Sequence, residues 1–355
     1  MTLVEHIVAL IRRTSTELPG DVVEALARHR DGGIVETMLR NVEVAKEDCV
    51  PLCQDTGTLT FWFEVPDGTP QEPLIVATRE AVKIATEQGW LRQNTIVEPN
   101  GVAQEDNVSE THPIIHFKGA EESRWTLDVG RWMFDVPIAL RNAQCRNKNQ
   151  DEIDVDCSAL CGQGGGGNIQ HPTSNIQHRK EALPSSVRVR LLMKGGGSEN
   201  VGRQYSLPDA ELGAGRDLDG VRRCVLDAVY RAQGNGCAPG ILGVCIGGDC
   251  ATGFEVAKAQ LLRSLDDHAE NAEIAALEAR LLDEINTLGI GPMGMGGTPT
   301  ALGVKIGTAS RVPASYFVTV AYMCWCCRRG ETTLTSSFVS RHSSIETVAR
   351  TTRDE

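Results

Sequence analysis

The spacing of apolar residues predicts helices along much of the chain. From Val4 to Ile11 the apolar positions fall at i, i+3, i+4 and i+7, which is typical of an amphipathic helix. A second helix is expected after Pro19, with Asp21 as its N-terminal cap. Further helical patterns cover about residues 34–46, 72–88, 221–232 and 272–288.

Strands are predicted where β-branched and aromatic residues cluster. The run TLTFWFEV at 58–65 stops at a Pro-Asp-Gly turn and follows the segment PLCQDTG, which places Cys53 on a tight turn. Runs at 113–117, 187–193 and 241–246 predict three more strands. Because strands and helices mix along the chain, we expect an α/β or mixed α+β fold with sheets covered by helices.

Two stretches depart from this pattern. Residues from about 118 to 186 contain CGQGGGGNIQHPTSNIQH and show little periodicity, so they are interpreted as an insertion or a long loop. Residues 331–355 are rich in Ser and Thr with few large apolar side chains, which is typical of a loosely ordered tail. The remaining pattern is compatible with one large domain over residues 1–330 that contains this insertion.

Charge and composition exclude several classes of function. The chain has 355 residues with 35 Lys and Arg against 47 Asp and Glu, a net charge of −12 without a strong basic cluster. This balance argues against nucleic acid and anionic lipid as partners. No apolar run approaches the roughly 18 residues of a membrane span. The start, MTLVEHIVALIRR, does not have the layout of a secretory signal, so we expect a cytoplasmic protein.

One glycine motif suggests a cofactor that its context does not support. Residues 289–294, GIGPMG, fit the dinucleotide fingerprint G-x-G-x-x-G. That site requires a strand before the glycines and a helix that begins within them, whereas here a helix is predicted before them and Pro292 interrupts them. The glycine-bearing segments at 194–200, 247–249 and 289–297 could instead be tight turns or could line a site for a carboxylate.

Cysteine is abundant for a cytoplasmic chain. The sequence has 12 cysteines, and metal ligation, catalysis and burial must account for them where thiols stay reduced. A compact run of four cluster ligands does not occur, and the single C-x-x-C at Cys324 and Cys327 is a weak zinc signal. Cys53, Cys237 and Cys324 each lie at a chain corner, and three ligands would leave one iron of a cubane open.

Seven motifs, in order, resemble the catalytic α subunit of the iron–sulfur hydro-lyases, the class I fumarate hydratase and L(+)-tartrate dehydratase family. They are PLCQDTGT at 51–58, GWLRQN at 89–94, THPIIHF at 111–117, KGGGSEN at 194–200, CAPGILGVCIGGD at 237–249, GIGPMGMGGTPTALGVKI at 289–306 and CWCCRR at 324–329. The resemblance covers most of residues 1–117 and 187–330. It implies that residues 1–330 have the fold of the catalytic N-terminal-type domain of the iron–sulfur hydro-lyases.

The resemblance implies a [4Fe–4S] cluster and a set of site residues. The cluster ligands it implies are Cys53, Cys237 and Cys324. The implied substrate-binding residues are Gln54, Asp55, Arg92 and Gly197, with Asp55 also catalytic, although a turn-capping role for Asp55 stays open. The family more often has non-Cys residues where this chain has Cys326 and Cys327, so a change of ligand within CWCC also stays open. The remaining cysteines considered, Cys49, Cys224, Cys245 and Cys250, are interpreted as structural thiols.

The implied reaction is the reversible addition or removal of water on a small dicarboxylic 2-hydroxy acid, fumarate/malate or tartrate/oxaloacetate, with an open iron as Lewis acid. The family's second catalytic domain does not follow residue 330 here, so a separate β subunit and an α2β2-type assembly are expected. Val312 stands where the family usually has a His. Two alternatives therefore stay open: an inactive or repurposed cluster-binding subunit, and a cluster-bearing sensor or electron carrier.

Overall fold

The computed structural model describes residues 1–30, 33–97, 101–102, 104–119 and 186–335. Residues 120–185 of the predicted insertion and 336–355 of the predicted tail lie outside the described residues. No helix in the described ranges combines the length and the apolar character that crossing a membrane requires.

Helices and strands alternate irregularly along the chain. The helices are α1 Leu3–Thr16, α2 Gly20–Ala27, α3 Ile34–Glu47, α4 Glu72–Glu87, α5 Gly196–Asn200, α6 Leu218–Ala232, α7 Cys250–Gln260 and α8 Ala272–Thr287. The strands are β1 Thr58–Val65, β2 Ile114–Gly119, β3 Ser186–Lys194, β4 Arg203–Ser206, β5 Gly240–Gly247, β6 Ala301–Ala309, β7 Phe317–Met323 and β8 Arg328–Thr335. The predicted mixed α/β fold class is confirmed.

The cap predicted for α2 is wrong. Pro19 occupies the N-cap position, and no side chain caps this helix. The Asp21 carboxylate points elsewhere, because its Oδ2 accepts a hydrogen bond of 2.7 Å from the Leu265 N–H and forms an ion pair with Arg329. Asp21 thus binds groups more than 240 residues away in the sequence instead of the N–H groups at the start of α2.

The strands form two four-stranded mixed sheets. The first has the order β2-β1-β3-β8, in which β1 is parallel to β2 and antiparallel to β3, and β3 is antiparallel to β8. The second has the order β4-β7-β5-β6, in which only β5 and β6 run parallel. The last strand reaches Thr335, so residues 331–335 of the predicted tail belong to the first sheet.

Three apolar clusters fill the space around the sheets. One lies between the first sheet and the helices α1 and α4, and another between the second sheet and the helices α6 and α8. The middle cluster takes Trp62 and Leu192 from the first sheet and Ile241, Cys245 and Met323 from the second. Strand side chains alternate between faces, so each sheet contributes to the middle cluster and to one outer cluster.

Candidate active site

The second sheet brings two of the predicted cysteine ligands to one edge. Cys237 precedes β5 and Cys324 follows β7. These strands are antiparallel with Ile241 opposite Met323, so both cysteines lie at the same edge. The Trp325 N–H also donates a hydrogen bond of 3.1 Å to the Cys237 carbonyl oxygen, which ties the two segments together.

The first sheet brings Cys53 to the same place. Thr58, at the start of β1, is paired with Lys194 at the end of β3, and Met193 is paired with Arg328 at the start of β8. The segment between Cys324 and Arg328 runs from the second sheet to the first. Cys53, five residues ahead of β1, packs with the other cysteines against the middle cluster.

Cys53 is close enough to Cys237 and Cys324 to raise the pKa of both of those thiols. Burial raises the pKa of the Cys237 thiol, and the nearby Cys53 and Asp55 raise it further. Burial also raises the pKa of the Cys324 thiol to about 12, with smaller contributions of the same sign from Cys53 and Cys237. These two thiols are therefore protonated at neutral pH, and a bound metal would have to displace their protons.

The turn that carries Cys237 has an unusual backbone. Cys237 has a φ of +54° in the left-handed region, which costs a non-glycine residue about 1–2 kcal/mol. Glycines on either side allow the Tyr322 ring to pack against this turn, because a Cβ on Gly236 or Gly240 would lie 2.4 Å from a ring carbon. The two glycines thus let the Cys237 turn lie directly against the Tyr322 ring.

Two buried polar groups beside the thiols have no hydrogen-bond partner among the described residues. They are the Tyr322 hydroxyl and all three guanidinium nitrogens of Arg328. The pKa of the Tyr322 hydroxyl is raised mainly by burial and further by Cys324 and Cys237. Buried polar groups are normally satisfied, so such a pair indicates a place for a further binding partner.

Asp55 is held in one orientation at the entrance to this region. Its Oδ1 accepts hydrogen bonds from the Gly57 N–H at 2.8 Å and from Asn94 Nδ2 at 3.2 Å, and its Oδ2 accepts one of 2.6 Å from the Gly196 N–H. Gly57 has a φ of +75°, and a Cβ there would lie 2.4 Å from the Lys194 carbonyl oxygen. Glycine at this position is what allows the carboxylate to reach α5.

The loop that carries Arg92 and Asn94 is fixed from two sides. The Thr56 hydroxyl donates to the Arg92 carbonyl oxygen at 2.8 Å and accepts from the Arg92 N–H at 2.7 Å. Asn107, which is buried, accepts from the N–H groups of Asn94 and Thr95 and donates to the Arg92 carbonyl oxygen. The backbone of this loop is therefore held beside Asp55.

A pocket of about 320 Å³ opens beside Asp55. Its lining includes Asp55, Asn94, His112 and Gly196. Burial lowers the pKa of His112, which favours the neutral imidazole. Sequence reasoning did not single out Asn94 or His112 as site residues, although both lie in segments that carry the family resemblance, GWLRQN and THPIIHF.

The other predicted substrate-binding residues, Gln54, Arg92 and Gly197, do not line this pocket, but they lie within two residues of Asp55, Asn94 and Gly196, which do. Gly197 is the second residue of α5, and a Cβ on it would lie 4.0 Å from the Asn235 carbonyl oxygen in the turn that leads to Cys237. Gln54 and Arg92 are exposed, and their side chains make no hydrogen bond or ion pair with the other described residues. They are free to contact a ligand.

The two additional cysteines of CWCC have different surroundings. The Cys327 sulfur accepts a hydrogen bond of 3.3 Å from Arg329, which itself forms an ion pair with Asp21. Cys326 is buried beside Cys324 and Cys53, and burial raises the pKa of its thiol well above the usual value. Of the two, Cys326 is therefore the better candidate to replace Cys324 as a ligand.

Other cysteines in the described ranges lie apart from this group. Cys224 and Cys245 are buried in the cores around the second sheet, and burial raises the pKa of their thiols to about 12 and about 11. Cys49 and Cys250 are exposed. Within the residues that the structure describes, no three His, Cys, Asp or Glu side chains are arranged to hold a metal ion.

Comparison with known proteins identifies the family. The family model described as fumarate hydratase (Fumerase) matches residues 4–130 and 168–333. The chain belongs to this family. A protein of Geobacillus stearothermophilus named "Putative fumarate hydratase class I" is 37% identical over 338 residues, which cover 92% of this chain and 54% of that protein. The chain thus spans about half the length of that relative.

Relatives that the chain spans almost fully have subunit names. A Methanocaldococcus jannaschii protein named "Putative L(+)-tartrate dehydratase subunit alpha" is 28% identical, with 93% of this chain and 96% of the relative covered. The L(+)-tartrate dehydratase subunit alpha of Escherichia coli K12 is 25% identical, with 92% and 89% covered. The predicted resemblance to the fumarate hydratase and tartrate dehydratase α-subunit family is confirmed.

Proposed function

We propose that this chain is the α subunit of a [4Fe–4S] hydro-lyase that removes water from a small dicarboxylic 2-hydroxy acid, or adds water to the dehydrated product in the reverse direction. The proposal depends mainly on the proximity of three cysteines from distant segments, Cys53, Cys237 and Cys324. They lie beside the Asp55 carboxylate, which is held by hydrogen bonds. Family membership and the names of the relatives support the same class of reaction.

The residues present fit an iron–sulfur cluster. Thiolates are the preferred ligands of such clusters, and the Tyr322 hydroxyl and the Arg328 guanidinium beside the thiols are both unpartnered. Cys53, Cys237 and Cys324 would hold the cluster, which supplies a Lewis-acidic iron when bound.

The chain's own polar groups supply binding and proton transfer. The exposed Arg92 guanidinium binds a substrate carboxylate, and Gln54 and the Gly197 backbone complete the contacts. Among the described residues Asp55 Oδ2 accepts one hydrogen bond, so a lone pair remains with which it takes the proton from the carbon next to the substrate carboxylate. The bonds from Gly57, Asn94 and Gly196 keep the Asp55 carboxylate in position during this transfer.

A partner and a cellular location complete the proposal. Two relatives have names that describe an alpha subunit, which supports a separate β subunit that closes the site, in an α2β2-type assembly. The substrate pair is fumarate/malate or tartrate/oxaloacetate, as the relatives' names suggest. We assign the protein to the cytoplasm, where thiol ligands stay reduced.

One observation favours a second candidate, an inactive or repurposed cluster-binding subunit. Val312 is 64% exposed in the loop between β6 and β7, at the position where the family usually has a His. The valine side chain, unlike an imidazole, can neither donate nor accept a hydrogen bond. Substrate turnover by the assembled complex separates the two candidates.

The test is anaerobic reconstitution with iron and sulfide, followed by metal analysis and visible absorption. Wild-type chain should bind close to one cluster, and Cys53→Ser or Cys237→Ser should abolish binding. Cys224→Ser is the matched control, since Cys224 is buried in α6 away from the three thiols. Equal loss in the control and the ligand variants would contradict the assignment. For activity, the loaded chain is mixed with a cognate β subunit and assayed with malate and tartrate.

A further inference from the structure

Arg328 is the buried charge whose role the site described above leaves unexplained. It begins β8 and is 1% exposed, and its Nε, Nη1 and Nη2 atoms have no hydrogen-bond partner among the described residues. No carboxylate of the described residues lies within ion-pair distance of it. An arginine cannot shed its charge in a protein, so this buried cation must be balanced by something outside the described chain.

Neighbouring buried cations are paired, so the isolation of Arg328 is specific. Arg329, the next residue, forms an ion pair with Asp21 and donates to the Cys327 sulfur. Lys194 is at the adjoining end of β3, and its Nζ lies 2.7 Å from Glu199 Oε2. Partners are thus present for the other cations at this edge, whereas the described residues contain none for Arg328.

The surroundings of Arg328 show what kind of partner it would meet. The positive charge of its guanidinium favours the ionised thiols of Cys324 and Cys326, opposing the larger effect of burial on their pKa. Its Nη2 lies 3.8 Å from the point that a Cβ of Gly195 would occupy, and Asp55 Oδ2 lies 3.0 Å from the same point. The guanidinium thus extends from the thiols toward the pocket carboxylate.

We propose that Arg328 is a positioning residue that balances and retains the thiolate-bound iron–sulfur cluster. This inference rests on the proposed function. A cubane core held by three thiolates is anionic overall, because the thiolates outweigh the positive charge of the core. A buried guanidinium with free N–H donors complements such an anion, and second-shell donors of this kind tune the affinity of metal sites.

The proposal predicts effects of opposite sign on the two forms of the protein. Without the cluster, Arg328 is an unpaired buried charge, so its replacement by the apolar Met should leave the melting temperature unchanged or raise it. With the cluster, the same replacement removes the balancing charge and should speed iron loss by about tenfold or more. A residue that merely stabilised the fold would lower the melting temperature of the cluster-free chain.

The experiment compares wild type, Arg328→Met and Arg328→Lys after anaerobic reconstitution. Iron and sulfide content, the rate of iron release to a ferrous chelator, and the melting temperature before loading are measured for each. Arg190→Met is the matched control, because Arg190 lies on the same sheet but is paired with Glu64 at 2.7 Å. The control should lower the melting temperature of the cluster-free chain and leave the release rate unchanged. Arg328→Lys keeps the charge without the planar fork and should give an intermediate release rate.

The outcomes separate this inference from the proposed function. Iron release from Arg328→Met within twofold of wild type overturns the role of Arg328 alone, as does a cluster-free variant that melts clearly below wild type. An Arg328→Met chain that does not fold counts as one that melts below wild type and overturns the role in the same way. Wild-type chain that takes up no iron and sulfide overturns the proposed function, and this inference with it.

Discussion

Replacement of Asp55 by Asn separates the catalytic role of this carboxylate from its structural one. Asn keeps a carbonyl oxygen that can replace Oδ1 and accept from Gly57 and Asn94. Its amide group then replaces Oδ2 and meets the Gly196 N–H as donor against donor, where the wild type has a bond of 2.6 Å. If the amide is rotated, the bond from Gly57 is lost instead.

The expected cost to stability follows from the loss of one hydrogen bond to a charged acceptor. Such bonds contribute about 1.5–3 kcal/mol, and Asp55 is only half-buried, so the free energy of unfolding should fall by about 1–2 kcal/mol. The expected cost to catalysis is larger, because removal of a group that transfers a proton lowers turnover by about 100-fold or more. A loss of that size exceeds what the stability change explains.

The assay measures turnover of the cluster-loaded chain with its β subunit, alongside denaturant unfolding of the chain. Asp209→Asn is the matched control, since Asp209 Oδ1 accepts from the N–H groups of Glu211 and Leu212 in a turn of the same kind. The control should lose stability at most and keep full turnover. If Asp55→Asn retains turnover within a few-fold of wild type, Asp55 only holds the turn and the proton-transfer role is refuted.

Other positions give expectations of their own. Gly57→Ala should lower the free energy of unfolding by about 2–4 kcal/mol in urea titrations, because of its positive φ and the 2.4 Å approach to the Lys194 carbonyl oxygen; Gly20→Ala, with open space around it, is the control and should not destabilise. Asn107→Ala should cost about 1–3 kcal/mol and raise KM, since it releases the loop of Arg92; an unchanged KM would show that the loop holds without it. Val312→His should raise turnover if the missing imidazole limits the reaction, whereas an unchanged rate in a loaded complex would mean that the chain has compensated elsewhere.

Local patterns predicted those elements whose residues have strong intrinsic preferences. The β-branched and aromatic run at 58–65 coincides with β1, and the patterns at 34–46 and 272–288 end within one residue of α3 and α8. The family itself was predictable because its motifs are contiguous in sequence and lie at turns. Strands β4, β6, β7 and β8 were not predicted. The last of these strands follows the cysteine-rich segment CWCC.

Features that depend on contacts between distant residues could not be predicted. Asp21 fits a helix cap in sequence, yet in the fold it lies against Arg329. The sequence gives no reason to assign different roles to the adjacent Arg328 and Arg329. Successive strand residues point to opposite faces, however, so Arg329 is paired whereas Arg328 faces the thiols. Asn107 gives no local signal of its role, since its partners are the backbone groups of a loop 12 to 15 residues away.

The segment Cys324–Cys327 joins β7 of one sheet to β8 of the other. Because this connection is only four residues long, it restricts movement of the two sheets relative to each other. A ligand bound by Cys324, which follows the second sheet, and by Cys53, which precedes the first, would therefore cross-link the two sheets. Its removal would leave buried thiols and an unpaired guanidinium at the seam between the sheets. If the proposed cluster is that ligand, its loss would loosen the domain where the two sheets meet and would expose this region to proteolysis.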